Sequence, residues 1–372
     1  MSATPTGPGA AEQDLLEAAQ SGDEAAFQRL VERYRGQLHA HCYRMLGSIH
    51  DAEDALQEAM LRAWRGLARF AGRSSLRSWL YTIATNTCLD QIGRRPKRVL
   101  PVDYGPAFDP HGGPLEPLVE STWIGPYPDE ALGIEDGYAS PEASYEMRES
   151  VELAFIAALQ LLPPNQRAVL ILREVLGFSA KETAGALDTS VASVNSALQR
   201  ARASVEERTP ERSQQQTLRE LGDEGVREIV EGYVDAWERG DVEAVVAMLT
   251  EDAAFTMPPL QSWFSGRDGI AEFLAGSPLS GRWRWRPIRL RANGQEALAY
   301  YAWDPDRRAY LRFALNVLTL RGSEISEIDA FICRAAEDPS PEGIASFPEQ
   351  PFDPLRVDAA FERFGLPEEL AG

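Results

Sequence analysis

Apolar residues recur at spacings of three and four through residues 12–96 and again through 148–208, which predicts two helix-rich blocks. In the first block, Ser21-Gly22-Asp23-Glu24 precedes one apolar-periodic run and Asp51 precedes another, both helix-start signals. Residues 51–64 read as one amphipathic helix, with Ala52, Leu56, Met60, Ala63 and Trp64 facing a core and Asp51, Asp54, Gln57 and Glu58 outward. A capped turn, Phe70 to Leu76, then precedes a long helix from Arg77 to Arg95. In the second block a helix pair over Phe155–Val175 is broken at Pro163-Pro164, and a short helix spans Ser179 to Leu187. Asp188-Thr189-Ser190 interrupts the pattern and offers a cap to a helix from Val191 to Val205. Its apolar face comprises Val191, Val194, Leu198, Ala201 and Val205.

Elsewhere the pattern changes. Residues 97–147 are rich in Pro, Gly and acids and read as a linker, as do the polar residues 209–224. Residues 225–335 begin as helices and turn into strand-like runs at Glu296–Trp303 and Tyr310–Leu320. Residues 336–372 form a Pro-rich acidic extension with a short helix expected near Pro354–Phe364, and residues 1–11 read as a disordered tail. The fold class expected is therefore multidomain: two all-α domains followed by an α+β domain.

Composition is that of a globular chain, 44% hydrophobic and 25% charged. No run approaches the ~20 apolar residues of a membrane span, and Met1–Ala11 lacks the basic start and apolar core of an export signal. A cytoplasmic protein with no membrane association is expected, and its cysteines, Cys42, Cys88 and Cys333, are expected as reduced thiols. The net charge of −20 argues against nucleic acid only if charge is averaged. From Ala59 to Arg98 the only acid is Asp90, among Arg62, Arg65, Arg69, Arg73, Arg77, Arg94, Arg95, Lys97 and Arg98. From Pro101 to Met147 there is no Lys or Arg. DNA responds to local patches of charge, so the segments need separate readings.

The helix from Val191 presents Ser193, Asn195, Ser196, Gln199, Arg200 and Arg202 opposite its apolar face, side chains able to bond base edges and phosphates. Two short helices joined by a tight turn, the second polar-faced and basic, form a helix-turn-helix pattern; a plain helical hairpin with a solvated face is the alternative. The helix from Arg77 joins basic residues to Trp79, Tyr81, Thr82, Asn86 and Thr87, groups able to receive unstacked bases, unless Trp79 and Tyr81 are core. His39, His41 and Cys42 lie close in sequence, but with no second ligand cluster no metal site is expected.

These blocks together resemble an extracytoplasmic-function sigma factor of the RNA polymerase sigma-70 family, in its SigG-like group. Asp51-Ala52-Glu53-Asp54-x-x-Gln57-Glu58 followed by Trp64 is similar to region 2.2 of that family. Phe70 to Arg95, with Arg77-Ser78-Trp79-Leu80-Tyr81-x-Ile83-Ala84-x-Asn86, is similar to regions 2.3 and 2.4. Leu162-Pro163-Pro164-x-Gln166-Arg167 and Gly177-Phe178-Ser179-x-x-Glu182-x-Ala184 are similar to region 4. Met60 stands where many members carry Phe.

The resemblance implies that residues 12–96 and 148–208 are sigma domains 2 and 4, a helical bundle and a helix-turn-helix. It implies core RNA polymerase (large-subunit coiled coil and flap) and promoter DNA as partners. It further implies that Asp51, Asp54, Gln57 and Glu58 dock on the coiled coil. Arg73, Ser74, Arg77, Asn86, Arg94 and Arg95 would read and melt the −10 element, and Ser193, Asn195, Ser196, Gln199 and Arg200 the −35 element. Neither block carries catalytic chemistry, and no cofactor is expected. A DNA-binding regulator that uses the helix-turn-helix alone is the competing class. The acidic linker is either a solvated tether or a mimic of nucleic acid, and Trp123 with Gly125-Pro126-Tyr127-Pro128 reads as a packed anchor within it.

Residues 225–335 resemble an NTF2-like, SnoaL-type cone, on Val230 to Trp237, Gly240 to Val245, Leu249 to Ala253 and Trp263-Phe264-x-Gly266-Arg267-x-x-Ile270-x-x-Phe273-Leu274. The resemblance implies regulation of the sigma domains in cis. Such cones can also hold a small apolar ligand. Tyr233, Trp237, Phe255, Met257, Trp263 and Phe264 are candidate pocket residues, with Trp283 and Trp285, and Asp304, Asp306 and Asp329 are available carboxylates. A ligand sensor and an enzyme therefore stay open beside a purely structural core.

Overall fold

Helix starts along the chain coincide with short polar side chains that accept the first free amides. In a computed structural model, which describes residues 10–94, 97–108, 123–132, 146–258, 260–333 and 360–372, Asp23 accepts from Ala26, Ser48 from Asp51, and Ser75 from Ser78. These residues cap α2 (Glu24–Leu46), α3 (Ile49–Leu67) and α4 (Leu76–Ile92), which follow α1 (Ala10–Gln20). Next come α5 (Pro101–Tyr104), α6 (Leu153–Leu161), α7 (Pro164–Leu170), α8 (Ala180–Ala186), α9 (Val191–Glu206), α10 (Gln214–Arg239), α11 (Val242–Ala247) and α12 (Gly266–Gly276), with α13 (Ala360–Arg363) near the end. The strands are β1 (Leu249–Thr256), β2 (Trp263–Ser265), β3 (Trp285–Ala292), β4 (Gln295–Asp304), β5 (Ala309–Arg321), β6 (Glu324–Ile332) and β7 (Glu369–Ala371).

The described residues form two units. The first draws on residues 10–94, 131–132 and 162–204. In it α3 turns a stripe of Ala52, Ala55, Ala59 and Ala63 inward, all fully buried, and this small-residue face lets α2 and α4 approach closely. The stripe also carries Asp51, four residues before Ala55. Asp51 is therefore 3% exposed and does not face outward with its expected companions, and Met60 and Trp64 are only half-buried. Tyr81 is core, whereas Trp79 is half-buried, packed on Phe70 at 4.9 Å. His41 is fully buried against Thr85 (2.9 Å), and burial with Arg44 and Arg77 nearby pushes its pKa down to about 3, so it stays neutral. Cys42, Cys88 and Cys333 are free, buried thiols.

The helix-turn-helix of this unit is built as its pattern predicts. Ser179 and Glu182 form a reciprocal capping box at the start of α8. Asp188 takes a left-handed conformation (φ 48°) in the break, and Ser190 accepts from the Ser193 amide at the start of α9. Val194, Leu198, Ala201 and Val205 are buried; Val191, at the helix's first residue, is 43% exposed instead.

The second unit draws on the described residues within 97–130, 146–161 and 205–372. Its sheet runs β2-β1-β6-β5-β4-β3, antiparallel except for β1 beside β6, with β7 pairing the start of β5. One face packs under α10 and α12 through Tyr233, Trp237, Ile270 and Leu274 against Phe255, Trp285, Tyr300 and Leu318. The other face is covered too: Phe361 packs on Tyr301 (5.4 Å), whose hydroxyl donates to the Pro367 carbonyl. Coverage on both sides explains why β4 and β5 are nearly continuous apolar runs. Residues 209–224, expected as a linker, include the start of α10, which bends at Gly222 (φ 69°). Gln214, Gln215 and Thr217 are buried there; Gln214 and Gln215 bond other elements, a signal that polarity alone hides.

Residues 97–108 and 123–130 of the acidic linker pack in this same unit. Trp123, Ile124 and Tyr127 are buried; Val99 pairs with Trp123, and Trp123 packs on Tyr104 at 5.7 Å. The linker reaches β2 where the Trp263 indole donates to the Gly105 carbonyl and the Phe108 amide to the Trp263 carbonyl.

Candidate functional site

The polar residues expected to face outward on α3 do so in part. Asp54 and Glu58 have half-exposed side chains and Gln57 is exposed, whereas Asp51 is removed by its place in the alanine stripe. Glu58 also pairs with Arg62, which reaches on to Asp90, each at 2.8 Å.

The candidate −10 residues separate into two groups. Arg73 and Ser74 are exposed in the turn before α4, where Gly72 takes φ 65°, and Arg94 is exposed just past α4; Arg95 lies outside the described residues. Arg77 and Asn86 instead meet the helix-turn-helix. The Arg77 guanidinium lies 5.0 Å over the Tyr81 ring and 4.9 Å over the Phe178 ring and donates to the Leu176 carbonyl (3.2 Å). Tyr81 and Phe178 meet edge to face at 5.6 Å. The Asn86 amide donates to the Ala186 carbonyl at 3.3 Å. Arg167, 4% exposed, donates to the Met45 carbonyl, and burial lowers its pKa to about 10, which still leaves it charged. The two helical blocks are thus fastened to one another through residues of their own motifs.

The candidate −35 residues are brought together. Ser193, Asn195, Ser196, Gln199 and Arg200 are all exposed along one side of α9. Arg202, on the same helix, pairs with Glu174 at 2.7 Å.

A further cluster escaped the sequence reading. Asn293-Gly294-Gln295, the turn between β3 and β4, joins four segments. The Asn293 carboxamide accepts from the Tyr127 amide (2.8 Å) and donates to the Val151 carbonyl (2.7 Å), while its own amide donates to the Tyr127 carbonyl (2.8 Å). Gly294 donates to Asp129 (2.7 Å), and Gln295 accepts from the Leu153 amide (2.9 Å). Glu152, just before α6, accepts from the Gln214 and Gln215 amides at the start of α10 (3.0 and 2.9 Å). Burial pushes its pKa up to about 7 against those bonds. At Gly294 a Cβ would fall 2.8 Å from the Arg148 carbonyl oxygen, and φ is 69°, so only glycine fits. The sequence signal was an Asn-Gly pair before a strand-like run, which marks a hairpin and says nothing of what the turn holds.

The carboxylates under this linker are unusual. Asp329 is buried, accepts from Thr256 at 2.7 Å, and shares its sheet face with Glu327. Burial, with Asp103 nearby, pushes both carboxyls up, and repulsion from Asp329 adds to the shift at Glu327. Burial does the same to Asp103 and Asp129.

The candidate pocket residues of the C-terminal domain are dispersed. Tyr233, Trp237, Phe255 and Met257 are core and Phe264 packs against it, while Trp263 bonds the linker. A pocket of about 330 Å³ opens elsewhere, beside Trp237, Trp283 and Trp285. Among the described residues no group of His, Cys, Asp and Glu is placed to hold a metal, and no helix is long and apolar enough to cross a membrane.

Comparison with known proteins accords with this architecture. Residues 30–98 match Sigma-70 region 2, residues 152–205 match Sigma-70 region 4, and residues 230–328 match the SnoaL-like domain. The chain is 41% identical over 323 residues to the ECF RNA polymerase sigma factor SigG of Mycobacterium tuberculosis (strain ATCC 25618 / H37Rv), covering 85% of each. It is 32% identical over 202 residues to the ECF RNA polymerase sigma-E factor of Escherichia coli (strain K12), covering 52% of this chain and 92% of that one. The crystal structure of the Mycobacterium tuberculosis extracytoplasmic function sigma factor SigJ shares the fold, with TM-score 0.51 and 21% identity over 86% of this chain and 99% of that one. Sigma factors act with core RNA polymerase at promoters as initiation factors, not enzymes. With two helical sigma domains and an NTF2-like domain in order, the chain belongs to the extracytoplasmic-function sigma factors of the RNA polymerase sigma-70 family.

Proposed function

We propose that this sigma factor melts the −10 element with α4 and the turn before it, reads the −35 element with α9, and is regulated in cis by its C-terminal domain. In this reading Asp54, Gln57 and Glu58 dock on the large-subunit coiled coil of core polymerase in the cytoplasm, and Asp51 shapes the helix that carries them. Arg73, Ser74 and Arg94 offer phosphate and base contacts at once. Arg77 and Asn86 join them after the helix-turn-helix moves off α4, so that DNA binding and domain separation are one event. The observation that carries regulation in cis is the Asn293 carboxamide, which holds Tyr127 of the linker and Val151 before α6 with the same side chain. A linker tied to the sheet limits how far the DNA-reading domains can part. The C-terminal domain also offers room for a small ligand that biases this tie. Transcription in vitro with purified core polymerase on a genomic fragment library tests the proposal, comparing the full chain, a chain ending near Arg208 and Asn293→Ala. Core-dependent promoter transcripts with all three, changed in the same direction by truncation and by Asn293→Ala, support it. Transcripts unaffected by either change remove regulation in cis, and no core-dependent transcript removes the sigma role.

A further inference from the structure

We propose that the C-terminal domain binds a planar aromatic carboxylate in the pocket between the end of α10 and the start of β3. This extends the reading that the domain holds a small ligand, and it changes that ligand from apolar to anionic.

Three properties of the pocket select such a molecule. Its walls are aromatic: Trp237, Trp283, Trp285 and Tyr310 line it, and Trp283, half-buried, stacks on Trp285 at 4.9 Å with 14° between planes. Flat rings of this kind accept another flat ring. Its volume, about 330 Å³, is at the small end for ligand sites and suits one bicyclic ring with a short acid arm.

Its polar lining is dominated by donors. Arg239, Arg284 and Arg286 lie along the wall, against a single carboxylate, Glu238. Arg284 is exposed and stacks over Trp303 at 4.9 Å; Arg286 stacks over Tyr310 at 4.3 Å and donates to the Ala371 carbonyl. Neither is paired with a carboxylate among the described residues, so stacking positions both heads while leaving their charge uncompensated.

Calorimetric titration of the full chain with indole-3-acetate, indole and tryptamine tests this, since the three share a ring and differ in charge. Indole-3-acetate is expected to saturate with a Kd in roughly the micromolar to low-millimolar range, with tryptamine silent and indole at least about tenfold weaker. Arg284→Gln, at an exposed position, is expected to weaken indole-3-acetate at least about threefold with an unchanged melting temperature, and Trp283→Ala to weaken all ring binding. Indole binding as well as the acid would overturn the anion selectivity while leaving an apolar ligand in place. No heat from any probe, or acid binding indifferent to Arg284→Gln, would overturn the site itself. Polymerase is absent from the titration, so no outcome bears on the sigma role.

Discussion

The side-chain amide of Asn86 donates to the main-chain carbonyl of Ala186 across 3.3 Å, which fastens the helix proposed to open DNA to the helix-turn-helix proposed to find it. Arg77 adds the stronger part of this contact, held between two rings and bonded to Leu176. Replacing Arg77 by Met keeps an apolar stem over the rings and removes the charge and the hydrogen bond. The expected loss is about 1–3 kcal/mol. Amide hydrogen exchange should then accelerate in residues 76–92 and 176–187 together. Faster exchange in α4 alone would mean that the two blocks are not energetically coupled.

The hub at the β3–β4 turn separates side-chain bonding from backbone conformation. Asn293 sits at φ 56°, a region open to Asn and Gly and costly for Ala. Asn293→Gly keeps the conformation and loses the Tyr127 and Val151 bonds; Asn293→Ala loses both. Each buried group left unpaired costs about 1–3 kcal/mol. Thermal melting should rank wild type above Gly and Gly above Ala, and limited proteolysis should cut within 97–132 faster in both variants. Equal protease resistance would show that the linker is held elsewhere.

Legibility in the sequence followed the range of the forces involved. Helices, caps and the helix-turn-helix break are local, and Ser179, Glu182, Asp188 and Ser190 sit where the pattern put them. The strand-like runs at 296–303 and 310–320 were visible because both sheet faces are covered. What was hidden depends on partners distant in sequence. Asp51 carries an outward residue type at an inward position. Gln214 and Gln215 look like solvent-facing polar residues, yet Gln214 exchanges two bonds with Leu320 of β5. Arg77 and Asn86 have residue types suited to DNA, and nothing local says that the helix-turn-helix already holds them. Trp237, Trp283 and Trp285 were among the aromatic candidates and line one cavity, whereas the arginines beside them carried no signal in the sequence.

Glu152 makes the tie between α6 and α10 sensitive to pH. Its folded pKa, about 7, lies above that of an unfolded glutamate near 4.3. Between those values the folded state binds more protons than the unfolded one, so stability falls as pH rises. The contribution is fully present below about pH 4, is lost progressively up to about pH 7, and is flat above. Its size is on the order of 3 kcal/mol. Glu152→Gln removes this proton, so the variant should lose less stability than wild type between pH 5 and pH 8 in thermal melts. Parallel curves for the two proteins would show that Glu152 does not titrate in that window. Asp103, Asp129, Glu327 and Asp329 are shifted in the same direction, so a residual decline is expected in the variant.

The exposed face of α9 allows binding and folding to be tested apart. Asn195 and Arg200 are exposed and lie away from the buried row of Val194, Leu198 and Ala201. Alanine at either should change stability by less than about 0.5 kcal/mol. On a promoter, a lost base contact costs about 1–3 kcal/mol and relaxes selection at that base pair, whereas a lost phosphate contact weakens all sequences alike and lowers the salt slope by about one. The side-chain types assign the first outcome to Asn195, whose carboxamide matches adenine in the major groove, and leave Arg200 to choose between guanine and phosphate. Transcription by the holoenzyme from promoters carrying single changes in the −35 element, repeated over a salt series, distinguishes them. Unchanged selectivity and salt slope in both variants would remove α9 as the reading helix and return the role to another element of the second helical block.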